Sequence, residues 1–174
     1  RVEGDAVERL SAWFAWLDQW TAVGKVKLLQ ARKQVRQWQS GAGPVRWLVG
    51  GLSRTLSPWA RCVIDDIDKA TDLDMMVAYF SPRRGLVRRL GAVARRGNPE
   101  GKGARLLLAA KSDNAATVGA ARANYTRLLR DGVKIHEFKP CKLHAKLIVV
   151  DNAVYIGSAN FDMRSLYLNL ELML

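Results

Sequence analysis

Histidine and cysteine are scarce in this 174-residue chain, with two of each: His136, His144, Cys62 and Cys141. Two cysteines cannot build a disulfide framework in a chain of this size, and the four residues lack the paired spacing that a zinc site requires. No metal site is therefore expected. Long apolar runs are missing too; none approaches the roughly 18–20 residues that a membrane-spanning helix needs. Acidic residues are in deficit, 16 against 28 Lys+Arg, which leaves a formal charge of +12. That imbalance favours an anionic partner, either nucleic acid or an acidic lipid surface, without choosing between them. With 49% apolar and 25% charged residues the composition is globular and excludes a disordered chain. There is no internal repeat, no initiating Met before Arg1 and no signal-peptide pattern. The last residues, Leu170-Glu171-Leu172-Met173-Leu174, alternate without a closing turn. The expectation is a piece of a longer protein.

What is present alternates in period. Val7, Leu10, Phe14, Leu17 and Thr21 recur at helical spacing in a segment running from Ala6 to about Gln39, to which Trp13, Trp16, Trp20 and Trp38 add large apolar surface. Lys25 to Arg36 holds five basic residues and no acidic one, which reads as a solvated helix face or a contact with anionic headgroups. Ser40-Gly41-Ala42-Gly43-Pro44 is the best breaker cluster in the chain. Beyond it, strands are predicted at Val45–Val49, Leu73–Tyr79, Arg105–Ala109, Val133–Phe138, Leu143–Val150, Val154–Ile156 and Tyr167–Leu172. Helices are predicted from Pro58 to about Lys69, over Arg83–Arg96 and over Ala115–Arg130, with a turn at Asn98–Gly101. The class is α/β, a mixed β-sheet flanked by helices on both faces.

Chemistry concentrates near the C-terminal end. On a strand His144 and Lys146 point to one face, and Asp151 follows at the strand end, where Asp-Asn favours a turn. Ser158 and Asn160 are again two apart after Gly157, and Asn169 and Glu171 share a face of the last predicted strand. Such a group suits phosphate chemistry. A neutral imidazole attacks phosphorus or moves a proton near pH 7, Lys sets a positive charge by a non-bridging oxygen, and Ser and Asn donate to transition-state charge. A carboxylate on the second imidazole nitrogen would fix its tautomer, and Glu171 is the candidate. His136 has no Lys two residues on and reads as a strand-surface residue, while Asp65, Asp66 and Asp68 read as a hydrophilic helix face.

His144-x-Lys146-x4-Asp151 followed by Gly157-Ser158-x-Asn160 resembles the HxKxxxxD (HKD) signature of the phospholipase D superfamily. Gly157-Ser158-Ala159-Asn160-Phe161-Asp162-x-Arg164-Ser165-Leu166 with Asn169-x-Glu171 is similar to the second such motif of bacterial cardiolipin synthases, and the likeness covers about Pro44 to Leu174. The resemblance implies a phospholipase D-like fold of which this is one of two halves. Residues 1–43 would be a helical linker after a missing first HKD half, and 44–174 the second domain, truncated at its C-terminus. It also implies a two-step phosphatidyl transfer through a phosphohistidine, with no metal or organic cofactor. His144, Lys146, Ser158, Asn160 and Glu171 would be catalytic, and Asp151, Gly157 and Asn169 structural near the site. The expected partners are phosphatidylglycerol or a related phospholipid, an anionic membrane surface and the N-terminal HKD half of the same protein. The expected location is bacterial, peripheral to the inner membrane. Since only one HKD motif is present, the isolated chain is expected to be inactive. A phospholipase D hydrolase and a single-motif nuclease working as a homodimer are the alternatives, nucleic acid being the less expected substrate.

Overall fold

The structure is a computed structural model that describes residues 2–23, 28–52, 55–97, 102–113 and 115–174. The turn expected at Asn98–Gly101 lies outside the described residues. Two long helices open the chain, α1 (Asp5–Ala22) and α2 (Leu28–Gln37), where the helical period had suggested one segment. Strand β1 (Leu48–Gly50) leads to α3 (Pro58–Lys69), which starts with proline at its first turn as the missing N–H of that residue permits. Strand β2 (Leu73–Val77) and the short β3 (Phe80–Ser81) precede α4 (Arg84–Arg96), and β4 (Ala104–Ala109) follows.

The helix expected over Ala115–Arg130 is two, α5 (Ala115–Arg122) and α6 (Tyr125–Arg130). At the break the Asn124 side chain donates back to the carbonyl of Ala120 (3.0 Å), the kind of local bond that competes with helix continuation. Gly132, at φ 89°, then ends α6; its N–H donates to Leu129 and that of Val133 to Leu128, both 3.0 Å. The chain continues through β5 (Lys134–Phe138), β6 (Lys146–Val150), β7 (Ala153–Ile156) and β8 (Phe161–Asp162). A π-helix (Arg164–Leu168) and β9 (Glu171–Met173) complete it.

Five strands form the main sheet in the order β5-β4-β2-β6-β7, with β5, β4 and β2 parallel and β6 and β7 antiparallel to their neighbours. The sheet does not stop at β7. Ile156 and Leu174 exchange both backbone bonds (3.0 and 2.9 Å) and Ser158 N–H donates to Leu172 (3.0 Å), so β9 and its antiparallel partner β1 continue from the end of β7. The alternation along each strand sorts the faces. Leu73, Met75, Val77, Leu106, Leu108, Ile148 and Val150 are buried in one core with Trp59, Val63, Ile67, Leu90 and Leu128 of α3, α4 and α6. On the other face, Val49 is buried against Trp13 of α1 and Val35 of α2, with Trp16, Trp38, Leu170 and Leu172 around them. Helices α3, α4 and α6 therefore lie on one face of the main sheet, and α1 and α2 cover the opposite face where β1 and β9 extend it. Trp13 and Trp38 meet edge to face at 5.2 Å, and their surroundings are pinned by Trp38 donating to the Trp47 carbonyl and Trp47 to that of Ala6, both 2.7 Å. Helices α1 and α2 thus pack directly on β1 and on the residues of and before β9.

Three expected strands differ markedly in extent. The strand predicted at Val45–Val49 begins only at Leu48 and runs to Gly50, where β9 supplies its partner residues. Residues 143–145 stand outside β6, because β2 ends at Val77, the pairing partner of Lys146, and offers nothing to residues before it. The segment Tyr167–Leu172 is not one strand: its first two residues belong to the π-helix and β9 begins only at Glu171. The cause is a set of tertiary bonds. Ser57 Oγ donates to the carbonyl of Leu166 (3.2 Å) and Trp59 Nε1 to that of Ser165 (3.1 Å), while Ser165 N–H is taken by Asp162 (2.9 Å).

Candidate functional site

The join between β7 and β9 collects most of the motif side chains. Gly157 forms a bridge with Met173, and a Cβ there would lie 2.1 Å from the Leu172 carbonyl oxygen, so no side chain fits at this position. The next residue, Ser158, accepts the N–H of Leu172 (3.0 Å) on Oγ and donates its hydroxyl proton to Oε2 of Glu171 (2.5 Å). Asn169 Nδ2 donates to the other oxygen of the same carboxylate (3.4 Å). Glu171 is buried, backed by Gly50, where a Cβ would lie 3.2 Å from the Glu171 Cβ.

Lys146 opens β6 and is likewise buried, with its Nζ donating to the carbonyl of His144 (2.8 Å). Burial pulls the Lys146 pKa below its ordinary value, and the Glu171 carboxylate opposes that fall. The two charges thus sense each other across the join. His144 itself lies in the extended lead into β6 and is exposed. Among the described residues its imidazole makes no hydrogen bond to Glu171, whose oxygens are taken by Ser158 and Asn169. The connection from His144 to the cluster runs through its backbone carbonyl and Lys146.

Asn160 is anchored separately. Its Oδ1 accepts the N–H of Tyr79 (3.1 Å) and its own N–H donates to Ser165 Oγ (3.1 Å), so the capacity left to the amide is its Nδ2 donor. Asn160 and Asn169 both line a cleft of about 570 Å³, together with Tyr79, Asp162, Arg164 and the α5 residues Ala116 and Ala120. Arg164 and the Asp162–Ser165 bond are the contributors that parity alone did not single out. The signal available was Asp162-x-x-Ser165, a spacing that suits a capping bond.

Asp151 stands at φ 45°, a left-handed conformation that Asp tolerates better than most residues, between β6 and β7. Its Oδ1 accepts from Thr71 N–H (3.1 Å), Thr71 Oγ1 (3.2 Å) and Asp72 N–H (2.9 Å), tying the hairpin to the turn before β2. His136 is exposed on β5, at the far edge of the sheet. Three strand spacings separate it from β6, roughly 14 Å, so it does not join the cluster. Asp66 accepts from the Tyr155 hydroxyl and Asp68 pairs with Arg89 (2.7 Å), which gives two of the three acidic residues of α3 partners of their own.

A buried ammonium, a serine, two carboxamides and a carboxylate, two of them lining or bonded to the lining of an open cleft, form a donor-rich group suited to an anionic oxygen, and the exposed His144 is tied to it through Lys146. Comparison with known proteins agrees with that chemistry. Residues 63–174 match the family described as "Cardiolipin synthase, PLD-like domain". Cardiolipin synthase A of Pectobacterium carotovorum subsp. carotovorum (strain PC1) is 38% identical over 103 residues, covering 59% of this chain and 20% of that protein. Cardiolipin synthase A of Escherichia coli O1:K1 / APEC gives the same identity and coverage. The chain matches about one-fifth of the length of these relatives. Among solved structures, phosphatidylserine synthase of Haemophilus influenzae Rd KW20 shares the fold, with a TM-score of 0.61, 15% identity and coverage of 82% of this chain and 38% of that one.

Proposed function

The chain belongs to the cardiolipin synthase family of phospholipase D-like domains, and from that premise we propose that it is the C-terminal catalytic half of a phosphatidyltransferase. The substrate is phosphatidylglycerol or a related phospholipid, and a second phospholipid is the acceptor. In the first step an imidazole nitrogen attacks phosphorus and the bond to the leaving alcohol breaks, while an imidazole of the other half gives that alcohol its proton. In the second step the acceptor hydroxyl passes its proton to the now neutral imidazole, its oxygen bonds to phosphorus, and the phosphohistidine bond breaks. His144 is one of the two imidazoles. Lys146, Ser158 and Asn160 hold the phosphoryl oxygens, and Glu171 sets the charge and orientation of the group. Asp151, Gly157 and Asn169 keep the strands in place. No step uses a metal or organic cofactor. One HKD motif supplies one imidazole, so the 174-residue piece alone does not turn over.

The observation that supports this reading best is the continuous cluster Lys146–Glu171–Ser158–Asn169 beside the cleft that Asn160 lines. The protein would work at the inner membrane of a bacterium, on its anionic surface; among the described residues no helix is long and apolar enough to cross it. The test uses the full-length protein with labelled phosphatidylglycerol. His144→Ala and Lys146→Ala should each lower formation of the doubly phosphatidylated product by about 10²–10⁴-fold. Near wild-type transfer in a folded variant would overturn the assignment, and phosphatidic acid as sole product would instead identify a hydrolase.

A further inference from the structure

Apart from the cluster, a cavity of about 420 Å³ with a basic lining lies between α2 and the start of α3. Its walls carry Arg32, Arg36 and Arg61, and its apolar part is Leu29, Leu52 and Leu56. It shares no lining residue with the cleft of Asn160 and Asn169. Gly51 and Leu52 separate it from the site: Leu52 N–H donates to the Leu168 carbonyl (2.9 Å), and a Cβ on Gly51 would lie 2.3 Å from the carbonyl oxygen of Asn169.

The arginines of this cavity differ from several on and beside α4. On α4, Arg89 pairs with Asp68, Arg95 with Asp131, and Arg96 donates to the carbonyls of Ala70 and Ile67. Arg83 lies over the Tyr167 ring at 4.9 Å. Among the described residues no carboxylate pairs with Arg32, Arg36 or Arg61. Arg32 is held in place by a 2.8 Å bond to the Leu52 carbonyl, while Arg36 and Arg61 are exposed. Next to them, Leu28 and Leu29 are 47% and 76% exposed at the start of α2, an arrangement with apolar tips beside guanidiniums. A soluble anion would use the charge and leave those leucines in water. A phospholipid surface uses both, since its phosphates meet the arginine forks and its glycerol and upper acyl region take the leucines.

We infer that this cavity, with Arg36, Arg61 and Leu29 at its rim, seats the headgroup of an anionic phospholipid and docks the protein on the membrane surface, apart from the reacting lipids. The inference rests on the proposed function only in placing the protein at a phospholipid bilayer.

Arginine footprinting of the full-length protein with a dicarbonyl reagent tests it without variants and without turnover. Phosphatidylglycerol vesicles should slow labelling of Arg36 and Arg61 at least about threefold. Phosphatidylcholine vesicles and soluble glycerol phosphate should not, and the exposed Arg88 on α4 should label at one rate throughout. Equal rates for Arg36 and Arg61 in the two kinds of vesicle would overturn the seat. So would equal protection of Arg88, which means unspecific adsorption, or protection by glycerol phosphate alone, which means a soluble anion site. Arg36 and Arg61 already unreactive without lipid would show that another part of the protein covers the cavity, and would overturn it too. An active enzyme with these arginines unprotected removes the seat and leaves the catalytic reading standing; protection in an enzyme without transferase activity does the reverse.

Discussion

Glu171→Gln separates the charge of this carboxylate from its shape. In the wild type, Oε2 accepts from Ser158 and Oε1 from Asn169, two bonds that a carboxylate satisfies without choosing. An amide has one accepting oxygen. With that oxygen toward Ser158, its NH₂ faces the NH₂ of Asn169; flipped, it meets a serine oxygen that already accepts from Leu172 N–H. One charge-assisted bond is lost either way, at about 1.5–3 kcal/mol, offset in part because a neutral group is easier to bury. The net destabilisation expected is about 1–2 kcal/mol in urea unfolding. The same change acts on Lys146. Burial lowers its pKa and Glu171 works against that fall, so removing the carboxylate leaves burial unopposed and the pKa drops further. Between the lowered folded value and the ordinary one the unfolded chain binds more protons, so stability rises with pH across that window, and the variant extends the window toward acid. If catalysis needs the ammonium, the alkaline limb of kcat/KM against pH moves to lower pH in Glu171→Gln. A loss of about 10–100-fold at neutral pH accompanies it, since 1.4 kcal/mol is a factor of ten. The profile is measured on the full-length enzyme. An alkaline limb that stays in place, with a rate within a factor of two of wild type, would show that Glu171 neither holds the charge of Lys146 nor serves the reaction.

Gly157→Ala places a Cβ 2.1 Å from the Leu172 oxygen and 2.8 Å from Met173 Sδ, so the β7–β9 join must open. It should cost about 1–3 kcal/mol, read as a lower Tm, with a fall in kcat as Ser158 and Glu171 separate. Asp151→Ala removes three hydrogen bonds and puts alanine at φ 45°, which should cost about 1–3 kcal/mol in urea unfolding at neutral pH. Burial pushes the Asp151 pKa up, but the bonds from Asp72 and Thr71 outweigh it and hold the carboxyl below its usual range. The stabilisation is therefore complete above the ordinary carboxylate pKa and lost as pH falls through the lowered one, so wild type and variant should converge in strong acid. A gap of unchanged size there would place the effect in the backbone conformation alone.

Helices α3 and α4 were legible because their signals are local. Pro58 marks a first turn, and Leu86, Val87, Leu90 and Val93 fall on one side at helical spacing. The motif residues were legible for a different reason, since their types and intervals are set by chemistry. What parity could not give was the relation between strands. His144 and Glu171 each sit at the expected interval from Lys146 and Asn169, yet they belong to segments whose offset is fixed by the β6–β7 register together with the Ile156–Leu174 and Ser158–Leu172 bonds. Nothing in either segment encodes that offset. The same limit explains the π-helix. Leu166, Leu168, Leu170 and Leu172 alternate like a strand, but Ser57 and Trp59, more than a hundred residues earlier, hold the carbonyls that a strand would have used.

The glycines around Glu171 show how the remote parts of the chain enter the site. Gly50, where a Cβ would lie 2.4 Å from the Trp59 ring, and Gly51, at φ 115° and where a Cβ would lie 2.3 Å from the Asn169 carbonyl oxygen, press β1 and the turn after it against one side of the carboxylate's strand. Gly157 presses against the other side. Gly51 and Gly157 meet main chain, of Asn169 and of Leu172, and Gly50 meets the ring of the fully buried Trp59. Glu171 and Asn169 are therefore positioned by main-chain contact from both flanks, which side-chain packing alone would leave softer. The residues that do chemistry and the residues that aim them are thus of different kinds. The first can be recognised by type, but Gly50 and Gly51 stand well outside the motif and carry no chemistry. Their role follows only from the closeness of β1 to β9, a pairing between the early and last parts of the chain that sets Glu171 beside Gly50, within electrostatic reach of the Lys146 ammonium.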